Sequence, residues 1–142
     1  MNRAEDHPVS LFAYGTLQIP EVLRAVTGRT FPGIPAILEG FRRGRLVNAT
    51  YPGLVRAPGF RTGGALLLGL DQEILTRLDR FEGKTYRREA VEVLTGSVKP
   101  VSAFTYVMTT GHPELSGEPW DLERFCREDL AGFLRGYAGF EE

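Results

Sequence analysis

The stretch TGGALLLGLDQEILTRLDRFEGKTYRREAVEVLTG, residues 62–96, carries the pattern that decides the fold. Its apolar start, TGGALLLGL, predicts a buried strand, and the glycine pair predicts a bulge or a close backbone approach. The next segment predicts an amphipathic helix, because apolar residues recur at helical spacing at Ile74, Leu75, Leu78 and Phe81. The last segment, TYRREAVEVLTG, alternates like a half-buried strand. A strand, a helix and a second strand therefore follow one another.

On the N-terminal side, SLFAYGTL (residues 10–17) predicts another buried strand, which ends in Gly15. The following segment, PEVLRAVTG, predicts a short helix, with Pro20 at its first position and Gly28 just after its end. The segment from Gly15 to Gln18 is therefore predicted to join a strand end to a helix start.

The remaining segments add further strands and a C-terminal helix. IPAILEGFRRGRL (34–46) predicts a strand bent near Gly40, and VSAFTYVM (101–108) predicts another strand. EPWDLERFCREDLAGFLRGY (118–137) predicts one helix, with Cys126 partly buried on it.

These elements amount to five or six strands and three helices in one domain, residues 10–142, after a mobile N-terminal tail, residues 1–9. The predicted fold class is α+β, a small mixed β-barrel with flanking helices, because strands outnumber helices and several are bent by Gly or Pro. Only two helices lie between strands, which disfavours a regular parallel sheet. The predicted interior residues occupy apolar strand positions: Leu11, Ala13, Leu66, Leu68, Val91, Val93, Phe104 and Tyr106.

Composition excludes several classes of function. The chain has 142 residues, 42% hydrophobic and 25% charged, and its net charge of −1 gives no footprint for a nucleic acid or a membrane surface. The polar start MNRAEDHPVS does not resemble a signal peptide, and no segment approaches the roughly 20 apolar residues of a membrane span. A cytoplasmic location is expected, and the oligomeric state is left open.

The cysteine and histidine content restricts the chemistry further. A single cysteine excludes an internal disulfide, and the two histidines, His7 and His112, lie far apart in the sequence. No metal site and no cofactor are therefore predicted, and a triad that depends on histidine is disfavoured. Acid/base chemistry would have to rest on carboxylates, tyrosine or lysine.

Two stretches could carry such chemistry. In the first, Tyr14 to Leu17, a glycine at a strand end lets the following backbone N–H groups point outward, where they could bind a carboxylate or an oxyanion. The second is Glu82, which precedes a turn glycine and follows Phe81 at the border of the core, where partial desolvation raises a carboxyl pKa. Nearby basic residues such as Lys84 and Arg87 would lower that pKa if they approached. Each stretch is therefore either an ordinary turn or part of a site.

Taken together, the two stretches resemble the gamma-glutamylcyclotransferase-like family, which includes the AIG2-like proteins. The resemblance covers roughly residues 11–108, and the WDLERF segment also resembles the C-terminal part of plant-type members. Phe81 stands where tyrosine is common in that family. The matching pieces are short and keep the family's order: Tyr14-Gly15-Thr16-Leu17, Tyr51-Pro52-Gly53, Gly63-Gly64, Leu78-Asp79, Glu82-Gly83, Tyr86 and Arg88.

The resemblance implies a mixed β-barrel with a pocket between the YGTL turn and a catalytic glutamate. Family members release a γ-glutamyl group as 5-oxoproline without a metal or another cofactor, so a small-molecule γ-glutamyl substrate is expected. Glu82 is the matching position for the group that moves protons, while Arg88 is expected to be structural. The residues expected to bind substrate are Tyr14, Gly15, Thr16, Leu17 and Tyr86, although Tyr86 could instead stabilise the start of its strand.

Three other interpretations stay open. The fold also serves related acyl transfers, such as removal of a γ-glutamyl protecting group from an amine. A non-catalytic module that binds a small molecule or a protein is a second alternative, against which the retained Glu82 argues. The third is an unrelated α+β domain whose motifs match by chance. Substrate choice is expected to depend on the loops around residues 49–60 and on the C-terminal segment.

Overall fold

The computed structural model of the chain describes residues 8–109 and 115–140. The elements follow in the order β1 (Val9–Ala13), a 3-10 turn (Thr16–Gln18), α1 (Pro20–Thr27), β2 (Gly33–Arg45), β3 (Pro52–Leu70), α2 (Gln72–Glu82), β4 (Tyr86–Val93), β5 (Val101–Met108), α3 (Leu122–Glu128) and α4 (Leu130–Phe140). In this part of the chain, five strands form one sheet in the order β2-β3-β1-β5-β4. The predicted α+β class is confirmed.

The boundaries of the first elements follow from local sequence. Pro20 begins α1, and Gly28 ends it in the left-handed region, with φ of 87°. The side chain of Asp71 caps α2 by accepting a hydrogen bond from the N–H group of Ile74. β1 begins at Val9, inside the predicted tail. Residues 1–7, and the segment that contains His112, lie outside the described residues.

Strand β1 lies at the centre of the sheet and is buried on both faces. It pairs antiparallel with β3 and parallel with β5, where Leu11 is opposite Phe104. Leu11 and Ala13 pack under the helices, whereas Phe12 and Tyr14 pack into the concave face of the sheet. The segment LFAY, residues 11–14, has no charged side chain and suits a strand that is covered on both faces.

Two cores result from this arrangement, one under the helices and one enclosed by the strands. The eight predicted interior residues all belong to these cores. Five of them are buried, namely Leu11, Ala13, Leu66, Val93 and Tyr106. The other three are partly buried and pack against the cores: Leu68, Val91 and Phe104.

The sheet curls without closing into a continuous barrel. The edge strands β2 and β4 have no ladder of paired residues between them; one antiparallel bridge joins Ile37 of β2 to Leu94, just after β4, and these two residues exchange both backbone hydrogen bonds. The fold is therefore a strongly curved open sheet, and it is a barrel only in a loose sense. The predicted close approach at the glycine pair is confirmed, because a Cβ atom on Gly64 would overlap the carbonyl oxygen of Ala13.

The C-terminal region differs from its prediction, since it forms two helices. Asp129 separates them: its N–H group donates to the carbonyl of Phe125, and its own carbonyl accepts from the N–H group of Phe133. The prediction that Cys126 is partly buried was wrong, because Phe125 takes the inward position and Cys126 is exposed. No helix within the described ranges has the length and apolar character needed to cross a membrane.

Candidate active site

A cavity of about 310 Å³ lies where the end of β1, the end of α2, the start of β4 and helix α4 meet. Its size is at the lower end of the range usual for small-molecule sites. The described residues that line it are Phe12, Ala13, Tyr14, Gly15, Thr16, Leu17, Tyr51, Pro52, Phe81, Glu82, Thr85, Tyr86, Tyr106, Gly132, Phe133 and Gly136.

Glu82 enters the cavity because of how α2 ends. It is the last residue of the helix, and Leu78 and Phe81 pack the same end against the core. The next residue, Gly83, has φ of 71°, a left-handed conformation that glycine adopts without strain, and there the chain turns into β4. The Glu-Gly pair thus places a carboxyl group at the junction between a helix and a strand.

The carboxyl group of Glu82 has no hydrogen-bond or ion-pair partner among the described residues. Its side chain is half-buried and lines the cavity. This burial raises the pKa of Glu82 to about 8, with a smaller contribution from the negative charge of Asp79. The neighbouring cations do not offset the shift, since Arg87 pairs with Glu89 and Lys84 is exposed.

The YGTL turn supplies backbone donors to the same cavity. The carbonyls of Gly15 and Thr16 accept from the N–H groups of Gln18 and Ile19 and so close the 3-10 turn. The N–H groups of Gly15, Thr16 and Leu17 have no acceptor among residues 8–109 and 115–140. Three adjacent N–H groups without acceptors are suited to binding an anion.

Two features hold the turn in place. Arg43 donates from Nη1 to the carbonyl oxygens of Tyr14 and Gly63, at 2.9 Å each, so the guanidinium joins the turn to β3. On the other side, a Cβ atom on Gly15 would lie 2.7 Å from Cγ of Pro52. Glycine is therefore required at position 15 by the proline ring beside it.

Three tyrosines form a wall of the cavity, and their hydroxyl groups are already engaged. Tyr14 donates to the carbonyl oxygen of Tyr106, and Tyr86 donates to that of Pro52, both at 2.6 Å. Tyr106 donates to Oδ1 of Asp79, also at 2.6 Å. Burial raises the pKa of all three phenols, so they remain neutral hydrogen-bond donors near pH 7.

Asp79 differs from Glu82 although it is only three residues away on the same helix. Its carboxylate accepts from the Tyr106 hydroxyl and from both Nε and Nη2 of Arg88, at 2.9 and 3.2 Å. The Arg88 guanidinium also lies 4.7 Å from the ring centre of Phe104. Asp79 and Arg88 thus form an anchored pair, which agrees with a structural role for Arg88.

The structure brings all six predicted site residues to one cavity: Tyr14, Gly15, Thr16, Leu17, Glu82 and Tyr86. Sequence reasoning missed Tyr106 and the contribution of α4. The alternation of β5 placed Tyr106 inside, but no local signal shows that its hydroxyl reaches α2. The helix predicted for residues 118–137 likewise gave no indication that Phe133 lines a cavity.

No group of three or more His, Cys, Asp or Glu side chains within the described ranges could hold a metal ion. The arrangement instead combines an unpaired carboxyl group with backbone donors. Such a site can bind an anionic group and transfer a proton beside it.

Comparison with known proteins places the chain in one family. The family model described as Gamma-glutamyl cyclotransferase, AIG2-like matches residues 11–122. The chain is 36% identical to AIG2-like protein C of Arabidopsis thaliana over 134 residues, which cover 93% of this chain and 77% of that protein. AIG2-like protein D of the same plant is 32% identical over 136 residues, covering 94% and 89% of the two chains.

Solved structures give the same result. A solution structure of a protein from Arabidopsis thaliana matches with a TM-score of 0.71 at 28% identity, covering 95% of this chain and 93% of that one. A gamma-glutamyl cyclotransferase shares the fold with a TM-score of 0.65 at 21% identity, covering 76% and 69%. The resemblance predicted from the motifs is confirmed, and the chain belongs to the gamma-glutamyl cyclotransferase, AIG2-like family.

Proposed function

We propose that the protein is an enzyme that cleaves a γ-glutamyl amine or γ-glutamyl amino acid into 5-oxoproline and a free amine. The observation that carries this proposal is the unpaired carboxyl group of Glu82, which lines the same cavity as the free N–H groups of Gly15 to Leu17. The family and the fold support the reaction class.

The reaction is an intramolecular acyl transfer. The α-amino nitrogen of the substrate attacks its own γ-carbonyl carbon and forms the C–N bond of a five-membered lactam, and the C–N bond to the departing amine then breaks. The α-ammonium group loses two protons in total, and both end on the departing nitrogen, which leaves as an ammonium ion. Glu82 carries these protons one at a time, and neither water nor a metal ion is consumed.

The raised pKa of Glu82 suits this role. The α-amino group of the substrate is an ammonium ion near pH 7, and the pKa of the Glu82 carboxyl group, about 8, lies closer to that of an amine than the ordinary carboxyl value of 4.5 does. A proton therefore passes between the carboxylate and the amine at a lower cost in free energy. A carboxyl group with an ordinary pKa would be a weaker base toward the substrate ammonium.

The YGTL turn would bind the anionic part of the substrate. Its three N–H groups are preorganised by the 3-10 turn, so they need no rearrangement to meet the substrate carboxylate or the oxyanion that forms on the γ-carbonyl oxygen. The phenols of Tyr14 and Tyr86 are already bonded to carbonyl groups, which leaves them to shape the cavity around the γ-glutamyl chain.

The direct test is incubation with a panel of γ-glutamyl amines and γ-glutamyl amino acids, with 5-oxoproline measured by mass spectrometry. We expect 5-oxoproline and the free amine in equal amounts. A second measurement is titration with 5-oxoproline, whose carboxylate should shift the backbone amide NMR signals of Gly15 to Leu17. Binding of γ-glutamyl compounds without any turnover would favour a non-catalytic binding module instead.

A further inference from the structure

Arg43, on β2, contacts the YGTL turn from outside the cavity. Its Nη1 atom donates to the carbonyl oxygens of Tyr14 and Gly63, and its side chain is not among the residues that line the cavity. The carbonyl of Tyr14 and the N–H group of Gly15 belong to one trans peptide unit, so they point in opposite directions. The guanidinium group and an anion bound by the Gly15 N–H group would therefore lie on opposite sides of the same peptide.

The charge of Arg43 has no ion-pair partner among the described residues. Its side chain is half-buried, and burial lowers the pKa of Arg43, whereas the charge of Asp121 raises it by a smaller amount. The carboxylate of Asp121 is itself engaged, because it accepts a hydrogen bond from the N–H group of Arg124. A guanidinium group keeps its charge near pH 7 even with a lowered pKa, so a positive charge stands beside the turn.

Trp120, in the WDLERF segment, packs beside the same guanidinium group. The Cζ atom of Arg43 lies 5.8 Å from the centre of the Trp120 ring. The ring is buried, and its Nε1 atom donates to the carbonyl oxygen of Thr50 at 2.8 Å, which fixes its position. A charge that is partly removed from water acts more strongly on its neighbours, because solvent and salt screen it less.

The bond to the Tyr14 carbonyl has two effects on the turn. It fixes the orientation of the Tyr14–Gly15 peptide, and it polarises this peptide, which makes the Gly15 N–H group a stronger donor. Arg135 also approaches the cavity, but on the side of α4, where its Nη2 atom lies 3.7 Å from the position of a Cβ atom on Gly132. Arg43 is the cation that is bonded to the turn itself.

We propose that Arg43 is a positioning residue for the substrate carboxylate: without touching the ligand, it orients the Tyr14–Gly15 peptide and strengthens the backbone donors of the YGTL turn. This inference rests on the proposed function, and it names the charge that makes the turn bind an anion. A purely structural tie between β2 and the turn would affect charged and neutral ligands alike.

The test compares two ligands that differ in charge. 5-Oxoproline carries a carboxylate, whereas its primary amide, 5-oxoprolinamide, is neutral and has nearly the same shape. Their Kd values are measured by NMR titration. Arg43→Gln should weaken the binding of 5-oxoproline by about 10-fold more than that of the amide, because glutamine keeps a donor for the carbonyl oxygens but has no charge.

Arg42→Gln is the matched control. Arg42 is the next residue on β2 and therefore points to the opposite face of the strand, where its guanidinium group lies 5.8 Å from the ring centre of Phe60. This substitution removes the same charge at a place that does not contact the turn. It should leave the ratio of the two Kd values unchanged.

Kinetics give a second measurement, on a substrate that the wild type turns over. The substrate carboxylate is present in the ground state and in the transition state alike, so its loss of binding is a loss of uniform binding. Arg43→Gln should therefore raise KM by about 10-fold and change kcat little.

Arg43→Lys keeps the proposal testable if Arg43→Gln does not fold. Lysine carries the charge near pH 7.5 and loses it as the pH rises through its pKa, which is ordinarily about 10.4 and is lowered by burial. The preference of this variant for 5-oxoproline over the amide should fall by about 10-fold more than that of the wild type between pH 7.5 and about 10.5. Glu82 ionises in both proteins over this range, so its effect cancels in the comparison.

The outcomes separate the two proposals. If 5-oxoproline is released but the wild type does not prefer it to the amide, or Arg43→Gln weakens both ligands equally, the assignment of Arg43 is wrong and the proposed function stands. The same holds if the preference of Arg43→Lys follows that of the wild type at every pH. If 5-oxoproline is neither released from any γ-glutamyl compound nor bound, both proposals are overturned.

Discussion

The hydroxyl group of Tyr106 donates to Oδ1 of Asp79 at 2.6 Å, and through this bond a strand of the sheet fixes a carboxylate one helical turn before Glu82. Arg88 holds the same carboxylate from β4. The negative charge of Asp79 in turn contributes to the raised pKa of Glu82, after burial. The two acidic residues of this helix therefore differ in their surroundings. Asp79 is paired with Arg88 and Tyr106, whereas Glu82 is unpaired and able to exchange a proton.

Glu82→Gln should lower kcat by about 10²- to 10⁴-fold, because glutamine keeps the shape of the side chain but cannot carry a proton. The melting temperature should change little, and the loss should be measured on a substrate that the wild type turns over. Glu73→Gln is the matched control on the exposed face of the same helix. Full turnover by Glu82→Gln would remove Glu82 from the mechanism.

The free energy of unfolding should depend on pH through Glu82. The carboxyl group ionises near its ordinary pKa of 4.5 in the unfolded chain and at about 8 in the folded protein. Between these values the folded state holds a proton that the unfolded state has lost, so the contribution is complete below about pH 4.5 and is lost as the pH rises through 8. The slope for one group is at most about 1.4 kcal/mol per pH unit.

Urea unfolding of the wild type and Glu82→Gln at pH 5, 6.5 and 8 isolates this contribution from all other titrating groups. The variant should gain stability relative to the wild type as the pH rises. A difference between the two proteins that is constant over the three pH values would show that the pKa of Glu82 is not raised.

Asp79→Asn should move the acidic limb of the pH profile of kcat/KM to lower pH. Removal of the negative charge lowers the pKa of Glu82, although burial keeps it above 4.5. The substitution should also cost about 1 kcal/mol or more of stability, because Arg88 loses its charged partner. Asp71→Asn is the control, since asparagine still caps the helix; an equal shift in that variant would exclude a specific effect of Asp79.

Gly15→Ala should destabilise the protein by about 1–3 kcal/mol, because the added Cβ atom would press on the ring of Pro52. Substrate binding should weaken as well, since the YGTL turn must shift to relieve the contact. Pro52→Ala removes the ring, so Gly15→Ala should cost less stability in that background. Equal costs in both backgrounds, measured by a double-mutant cycle, would rule out this contact as the reason for glycine at position 15.

The part of the site that could be predicted from sequence is encoded locally. The periodicity of Ile74, Leu75, Leu78 and Phe81 defines α2, and the glycine after Glu82 defines where it ends. The same holds for the YGTL turn, which lies between an apolar strand and a helix that begins with proline. Short-range patterns of this kind depend only on residues within one or two turns of the chain.

The missed features depend on contacts between distant segments. β3 begins at Pro52 and not at Thr62, where the predicted strand begins, because residues on both sides of Pro58 and Gly59 pair with β2: Arg56 is opposite Phe41, and Arg61 is opposite Glu39. The interruption at Asp129 sends α4 across the cavity, but the periodicity of the segment alone predicts an unbroken helix. Neither feature can be predicted from the local sequence, because each depends on the distant residues that the segment packs against.

The central position of β1 also bears on how the protein folds. Thr105 donates a side-chain hydrogen bond to the carbonyl of Phe12 over 2.8 Å, across 93 positions of the chain, and the parallel pairing of β1 with β5 spans a similar distance. Contacts of such high contact order form late and slow the folding reaction. Since the YGTL turn directly follows β1, a chain in which only the β2-β3 and β4-β5 pairs had formed would lack this turn. If the turn binds substrate as we propose, the appearance of substrate binding should therefore report a late step of folding.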